Sequence, residues 1–178
     1  MRVIAGKLGG RVFSAPHGHR THPMSDRVRG ALFNTLGDIS GLTVLDAFAG
    51  SGALSFEALS RGAASALAIE PDKPAQLTIA ENIAGLGLSN DIKLVRAKAQ
   101  AWLNTTDVND KFDIVICDPP YDQVNQDLLI KLAERAEQGG TVIFSLPPDV
   151  TLVLPHNYKL LQYKDYGDAT LSFFRRTA

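Results

Sequence analysis

Two short runs of this chain combine residue types and spacings that could do chemistry. The first is Ile114-Val115-Ile116-Cys117 followed by Asp118-Pro119-Pro120-Tyr121. An apolar strand delivers a carboxylate to its end, and two prolines then fix the backbone and remove two N–H donors. What remains is a cluster of acceptors, the Asp118 carboxylate and the Pro119 carbonyl. An exocyclic amino group of a nucleic-acid base has two hydrogens to give them. Its lone pair is delocalised into the ring, so it is a poor nucleophile. Holding both hydrogens favours a pyramidal nitrogen and aims the lone pair at an electrophile. Tyr121 offers a face on which the base can stack. A rigid turn after a buried strand would also use Asp and Pro, but the added aromatic residue favours chemistry. Asp118, Pro119, Pro120 and Tyr121 are the catalytic candidates.

The second run is Leu45-Asp46-Ala47-Phe48-Ala49-Gly50-Ser51-Gly52. An apolar strand runs into a glycine loop and a helix begins. The glycines let the backbone approach a ligand closely. The helix start presents free amides to an anion such as a carboxylate. A second strand ends in Glu70, whose carboxylate can accept from two ribose hydroxyls. A nicotinamide enzyme would use a similar loop, but its third glycine is replaced by Ser55. Asp46 before the loop suits the ammonium group of S-adenosylmethionine. The cofactor candidates are Asp46, Phe48, Gly50, Gly52, Glu70, Pro71 and Ala99, with S-adenosylmethionine as cofactor.

These runs need elements to position them. Strand patterns at 43–48, 66–70, 92–95, 112–117 and 141–144 alternate with helix patterns starting near Ala53, Asp72, Ala99 and Gln126. The last of these helices is predicted to run from Gln126 to Glu137 and end at Gly139-Gly140. Runs 158–163 and 169–175 read as a closing hairpin around Gly167-Asp168. The pattern predicts an α/β, Rossmann-like fold with a seven-stranded, mostly parallel sheet and helices on both faces. In the sheet order 3-2-1-4-5, the strands before Asp46 and Asp118 are neighbours, so both runs face one cleft. Before them, Ser25 caps a helix over 26–36. Val3-Ile4-Ala5 and Val12-Phe13, with Gly9-Gly10 between them, read as a small N-terminal β-hairpin. The expected division is a basic arm over residues 1–24 and a catalytic domain over 25–178.

Charge is also unevenly spread along the chain. The net charge is −1, yet residues 1–30 carry +5 and the remainder −6. Such asymmetry points to a polyanion partner. Arg2, Lys7, Arg11, Arg20, Arg27 and Arg29, with Thr21 beside Arg20, are the candidates for contacting it. His17, His19 and His22 lack the further Cys or carboxylate ligands of a metal site, so no metal is expected. Cys117 is the single cysteine, no disulfide can form within the chain, and no apolar run spans a membrane. The N-terminus carries no signal-peptide core, and a cytoplasmic monomer is expected.

The chain resembles the RsmD family of bacterial methyltransferases, which make N2-methylguanine in 16S ribosomal RNA. The resemblance runs through Arg2–Lys7, Gly10-Arg11, Arg20-Thr21, Asp26–Arg29, Ala31–Asn34, Asp46–Gly52, Glu57–Gly62, Asp118–Tyr121 and Tyr166–Phe173. It implies a class I S-adenosylmethionine-dependent methyltransferase fold, with the cofactor held by Asp46, Gly50, Gly52 and Glu70. It implies that Asp118–Tyr121 hold the guanine and that the basic arm grips rRNA within a small-subunit ribonucleoprotein. One departure is Lys98, which stands where an Asp or Asn beside the cofactor adenine is common. That leaves adenine recognition to backbone groups near Ala99. Only 57 residues follow Tyr121, and the last strands use them, so recognition falls to the arm and to substrate shape. Two alternatives remain: an adenine-N6 methyltransferase acting on DNA or RNA, and a non-catalytic RNA-binding or ribosome-assembly factor.

Overall fold

The computed structural model describes residues 1–16 and 23–178. The elements follow in the order α1 (Asp26–Leu36), β1 (Thr43–Asp46), α2 (Ala53–Ser60), β2 (Ser65–Ile69), α3 (Lys73–Leu86), β3 (Ile92–Val95) and α4 (Ala99–Thr105). Then come β4 (Phe112–Cys117), α5 (Gln126–Ala133), β5 (Ala136–Leu146), β6 (Tyr158–Asp165) and β7 (Thr170–Arg176). They build one seven-stranded sheet in the order β3-β2-β1-β4-β5-β7-β6. β1 to β5 are parallel, and β7 runs antiparallel to both β5 and β6.

The strands are apolar on both faces because successive side chains point to opposite sides. Val44, Ile114 and Ile116 join α1, α2 and α3 in one core. Leu45, Val115 and Cys117 join α4 and α5 in the other. Helices therefore cover both faces, as the alternating pattern predicts. Side chains cap three helices: Ser25 accepts from the Val28 N–H, Asp72 from Ala75 and Asn125 from Leu128. No side chain caps α2, the helix that follows the glycine loop.

Two expectations need correction. The helix predicted to reach Glu137 ends at Ala133. Ala136 instead pairs with Phe112 at the start of β4, and β5 runs for 11 residues from there. Gly139-Gly140 lie inside β5, where the register slips, and do not end a helix. The N-terminal hairpin is also less regular than predicted. Its strands pair only around the antiparallel bridge Arg2↔Val12, where the Val3 N–H donates to the Arg11 carbonyl at 2.9 Å and the Phe13 N–H to the Met1 carbonyl at 3.0 Å. The Ile4 and Ala5 N–H groups donate to the Glu57 carboxylate of α2, at 2.7 and 3.1 Å, not to a partner strand. Val3, Leu8 and Phe13 are buried in the α1–α3 core, and the Phe13 ring meets Phe56 edge-on at 5.1 Å. Such a pair adds roughly 0.5–1.5 kcal/mol beyond area burial.

Candidate active site

β1 ends in Asp46, and the next residue, Ala47, donates its N–H to the Ile116 carbonyl of β4 at 3.0 Å. Asp46 pairs in register with Ile116, so Asp118 lies two residues further along the neighbouring strand. The structure thus brings both runs to the carboxyl end of adjacent strands.

Asp46 is fully buried. Its Oδ2 accepts from the Ser55 hydroxyl at 2.8 Å, while Oδ1 has no partner. Burial pushes its pKa up to about 7; the Ser55 hydrogen bond opposes this, and the charge of Asp118 adds to it. Such a carboxylate oxygen needs a cationic or N–H donor, and the ammonium group of S-adenosylmethionine is one. Gly52 sits at φ +80°, a conformation that L side chains avoid, and an added Cβ would come within 2.8 Å of the Phe56 ring. The Gly52 N–H bonds the Ala49 carbonyl at 2.7 Å and the Ala53 N–H the Ser51 hydroxyl at 3.4 Å, so the backbone left for a ligand is that of the later amides in the first turn of α2.

Glu70 follows β2 and is buried. Its Oε2 accepts the Gly50 N–H at 2.7 Å and its Oε1 the Asp72 N–H at 2.8 Å. Burial raises its pKa, and these two backbone bonds counter the shift. Each oxygen keeps a second lone pair, which suits two ribose hydroxyls. Among the remaining cofactor candidates, Phe48 is half-buried, Pro71 is exposed, and Ala99 opens α4 with its methyl group buried. The residues present fit S-adenosylmethionine.

On the other side of the cleft, Asp118 is half-buried, Pro119 buried, and Pro120 and Tyr121 exposed. Burial pushes the Asp118 pKa up to about 6, and the neighbouring Ser145 hydroxyl opposes the rise. The Tyr121 hydroxyl lies 3.4 Å from Ser145 Oγ. Burial also raises the Tyr121 pKa, and among the smaller causes is the charge of Asp168 in the β6–β7 turn. Cys117 is buried behind this site, and burial pushes its thiol well up, which fits a core residue and not a nucleophile.

The basic candidates divide. Arg2, Lys7 and Arg27 are exposed. Arg2 pairs with Asp26 at 3.0 Å, and the Arg27 guanidinium lies 6.0 Å from the Tyr166 ring centroid. Arg11 is exposed but donates to the Gly85 and Leu86 carbonyls at the C-terminal end of α3. Arg29 is corrected. It is fully buried and donates to Met24 O, Arg2 O and Asp26 Oδ1, with its Nε 4.0 Å from Glu57. A charge so enclosed holds the arm to the body and leaves no face for a phosphate. Arg20, Thr21 and the three arm histidines lie outside the described residues. Among the described residues no group of His, Cys, Asp or Glu could hold a metal.

Sequence reasoning overlooked three residues here. Ser55 was noted only as a missing glycine, yet it fixes Asp46. Ser145 interrupts an apolar strand end, a signal that could have marked it. Glu57 is fully buried, accepts from Ile4, Ala5 and Arg61, and lies beside Arg29, which no periodicity announces.

A doubly wound seven-stranded sheet with an acidic glycine loop at β1, a carboxylate after β2 and Asp-Pro-Pro-Tyr after β4 defines a class I S-adenosylmethionine-dependent methyltransferase. The chain belongs to the family described as Conserved hypothetical protein 95, whose model matches residues 1–175, and the RsmD resemblance holds. The chain is 33% identical to Ribosomal RNA small subunit methyltransferase D of Escherichia coli strain K12, over 100% of this chain and 91% of that protein. It is 32% identical to the protein of that name from Buchnera aphidicola (subsp. Acyrthosiphon pisum), over 91% and 86%. The solved structure of the Escherichia coli protein yhhF superposes with a TM-score of 0.89 at 31% identity, covering 100% of this chain and 98% of that one.

Proposed function

We propose that this protein transfers a methyl group from S-adenosylmethionine to the exocyclic N2 of a guanine in 16S rRNA, presented within a small-subunit ribonucleoprotein. The observation that carries this reading is the Asp118–Tyr121 run beside the Asp46 loop on adjacent strands. The relatives named as small-subunit rRNA methyltransferases support the choice of substrate.

When bound, S-adenosylmethionine supplies an electrophilic methyl group on a sulfonium. Asp46 would accept from its ammonium group, the Gly50–Gly52 loop would let its carboxylate approach the first α2 amides, and Glu70 would accept from its ribose hydroxyls. Phe48, Pro71 and Ala99 are assigned to the rest of the cofactor. Asp118 and the Pro119 carbonyl take the two amino hydrogens of the base, Pro120 fixes the turn, and Tyr121 stacks on the ring. With both hydrogens held, the nitrogen lone pair would face the methyl group that the cofactor would supply. The proton released from nitrogen passes to Asp118 or water. Proximity and orientation do most of the work, and the Asp118 charge stabilises the cationic amino group as it forms. The base has to leave its stack to reach the cleft.

Residues 1–24 act as the RNA-gripping arm on a catalytic domain of residues 25–178; Arg2 and Lys7 of the arm and Arg27 of the domain are the exposed phosphate contacts, and Arg20 and Thr21 are assigned the same role. Arg11 contributes through whatever its α3 contacts leave free. We assign the protein to the cytoplasm as a monomer. The test is transfer of labelled methyl groups to RNA together with direct measurement of S-adenosylmethionine binding. Binding with RNA labelling is the expected result. RNA binding without cofactor binding would instead identify a non-catalytic assembly factor.

A further inference from the structure

Ser145 lies beside the functional residues that follow β4. It lies near the end of β5 and is 1% exposed. Its predecessor Phe144 pairs with Cys117, so Ser145 runs alongside Asp118 on the neighbouring strand. Its Oγ lies 3.4 Å from the Tyr121 hydroxyl. On its other side Ser145 pairs with Leu171 of β7 through backbone alone, which any small residue could do. The side-chain hydroxyl is therefore the feature to explain, because a buried strand end beside Phe144 and Leu146 would otherwise be apolar.

A hydroxyl has one hydrogen to donate, and an ionised carboxylate can only accept. With Asp118 ionised, the consistent arrangement is a chain: Tyr121 O–H to Ser145 Oγ, and Ser145 O–H to the Asp118 carboxylate. We propose that Ser145 is a positioning residue that ties Asp118 to Tyr121 and so fixes the acceptor and the stacking face of the base clamp relative to each other. The proposal rests on the reading of Asp118–Tyr121 as that clamp. A hydrogen bond donated to Asp118 favours its charged form, in keeping with the direction in which Ser145 acts on it. The other ionisable groups around the pair are Asp46 on β1, Cys117 on β4 and, beside Tyr121, Asp168 in the β6–β7 turn.

The test compares Ser145→Ala and the near-isosteric Ser145→Cys, which lose the hydroxyl, with Ser145→Thr, which keeps it. Two readouts are taken on the S-adenosylhomocysteine-bound protein. One is the carboxyl-carbon NMR titration of Asp118, its signal assigned by loss in Asp118→Asn. The other is the affinity for S-adenosylhomocysteine. We expect the Asp118 midpoint to rise in the Ala and Cys variants and to stay near wild type in Thr, with cofactor affinity unchanged in all three. With RNA as methyl acceptor, turnover should fall by about tenfold to a hundredfold in the Ala and Cys variants and recover in Thr. An unchanged Asp118 midpoint in a folded Ala or Cys variant would overturn the proposal. A raised midpoint in a protein whose wild type methylates no RNA would uphold the role of Ser145 and reject the substrate reading.

Discussion

Three carboxylates divide the work at the site, and their surroundings distinguish them. Asp118→Ala should abolish methyl transfer while leaving cofactor affinity within about threefold, since Asp118 faces the base side of the cleft. Isothermal titration with S-adenosylhomocysteine checks this, and loss of binding would move Asp118 to the cofactor. Glu70→Ala should mainly weaken the cofactor, because it removes the ribose acceptor and frees the Gly50 N–H. Asp46 brings a pH dependence. Its pKa stands at about 7 in the cofactor-free protein. An ammonium ligand prefers the ionised form, so affinity should hold above pH 7 and weaken by up to about tenfold per unit below it. The same shift affects folding with a definite sign. A carboxyl whose folded pKa is raised loses stability as pH climbs from its unfolded value through about 7. Asp46→Asn should therefore raise the melting temperature of the cofactor-free protein at pH 8, with little change at pH 4, while abolishing cofactor binding. A lower melting temperature at pH 8 would contradict the buried, half-unpaired carboxyl.

At the scale of elements, α2 joins the cofactor loop to the N-terminal segment. Glu57 on its inner face takes the Ile4 and Ala5 amides and the Arg61 guanidinium, with Arg29 close by. Glu57→Ala would leave a buried arginine and two amides short of a partner, and should cost roughly 3–5 kcal/mol. Calorimetry would read this as a drop of about 2–4 °C per kcal/mol for a chain of this size. Gly6→Ala should be at least as harmful, because its added Cβ would meet the Ser60 carbonyl oxygen. Little of this was legible in the sequence. The existence of the strands, the bounds of α1 and the start of α3 were, because caps such as Ser25 and Asp72 and the apolar periods are local signals. The end of α5 was misread, since the pairing of Ala136 with Phe112 is long-range and overrides the breaking signal of Gly139-Gly140. The cleft was legible because Asp46 and Asp118 follow recognisable strands. Ser145 and Glu57 were not, because their roles depend on neighbours far away in sequence.

The whole molecule joins a basic N-terminal region to an acidic body on a methyltransferase sheet. Charge reversal at Lys7 and Arg27 should weaken RNA binding and flatten its salt dependence, with cofactor affinity unchanged. Arg29 is the control: its reversal should unfold the protein before any RNA is added, because its guanidinium is buried among Asp26, Glu57 and backbone carbonyls. The central claim concerns which atom receives the methyl group. The direct measurement incubates the protein with labelled S-adenosylmethionine and unmethylated 30S subunits, naked 16S rRNA or duplex DNA, then reads the digested nucleosides by mass spectrometry. N2-methylguanosine is expected from RNA, more from the assembled subunit, and none from DNA. N6-methyladenine from any substrate, with no methylated guanine, would contradict that claim.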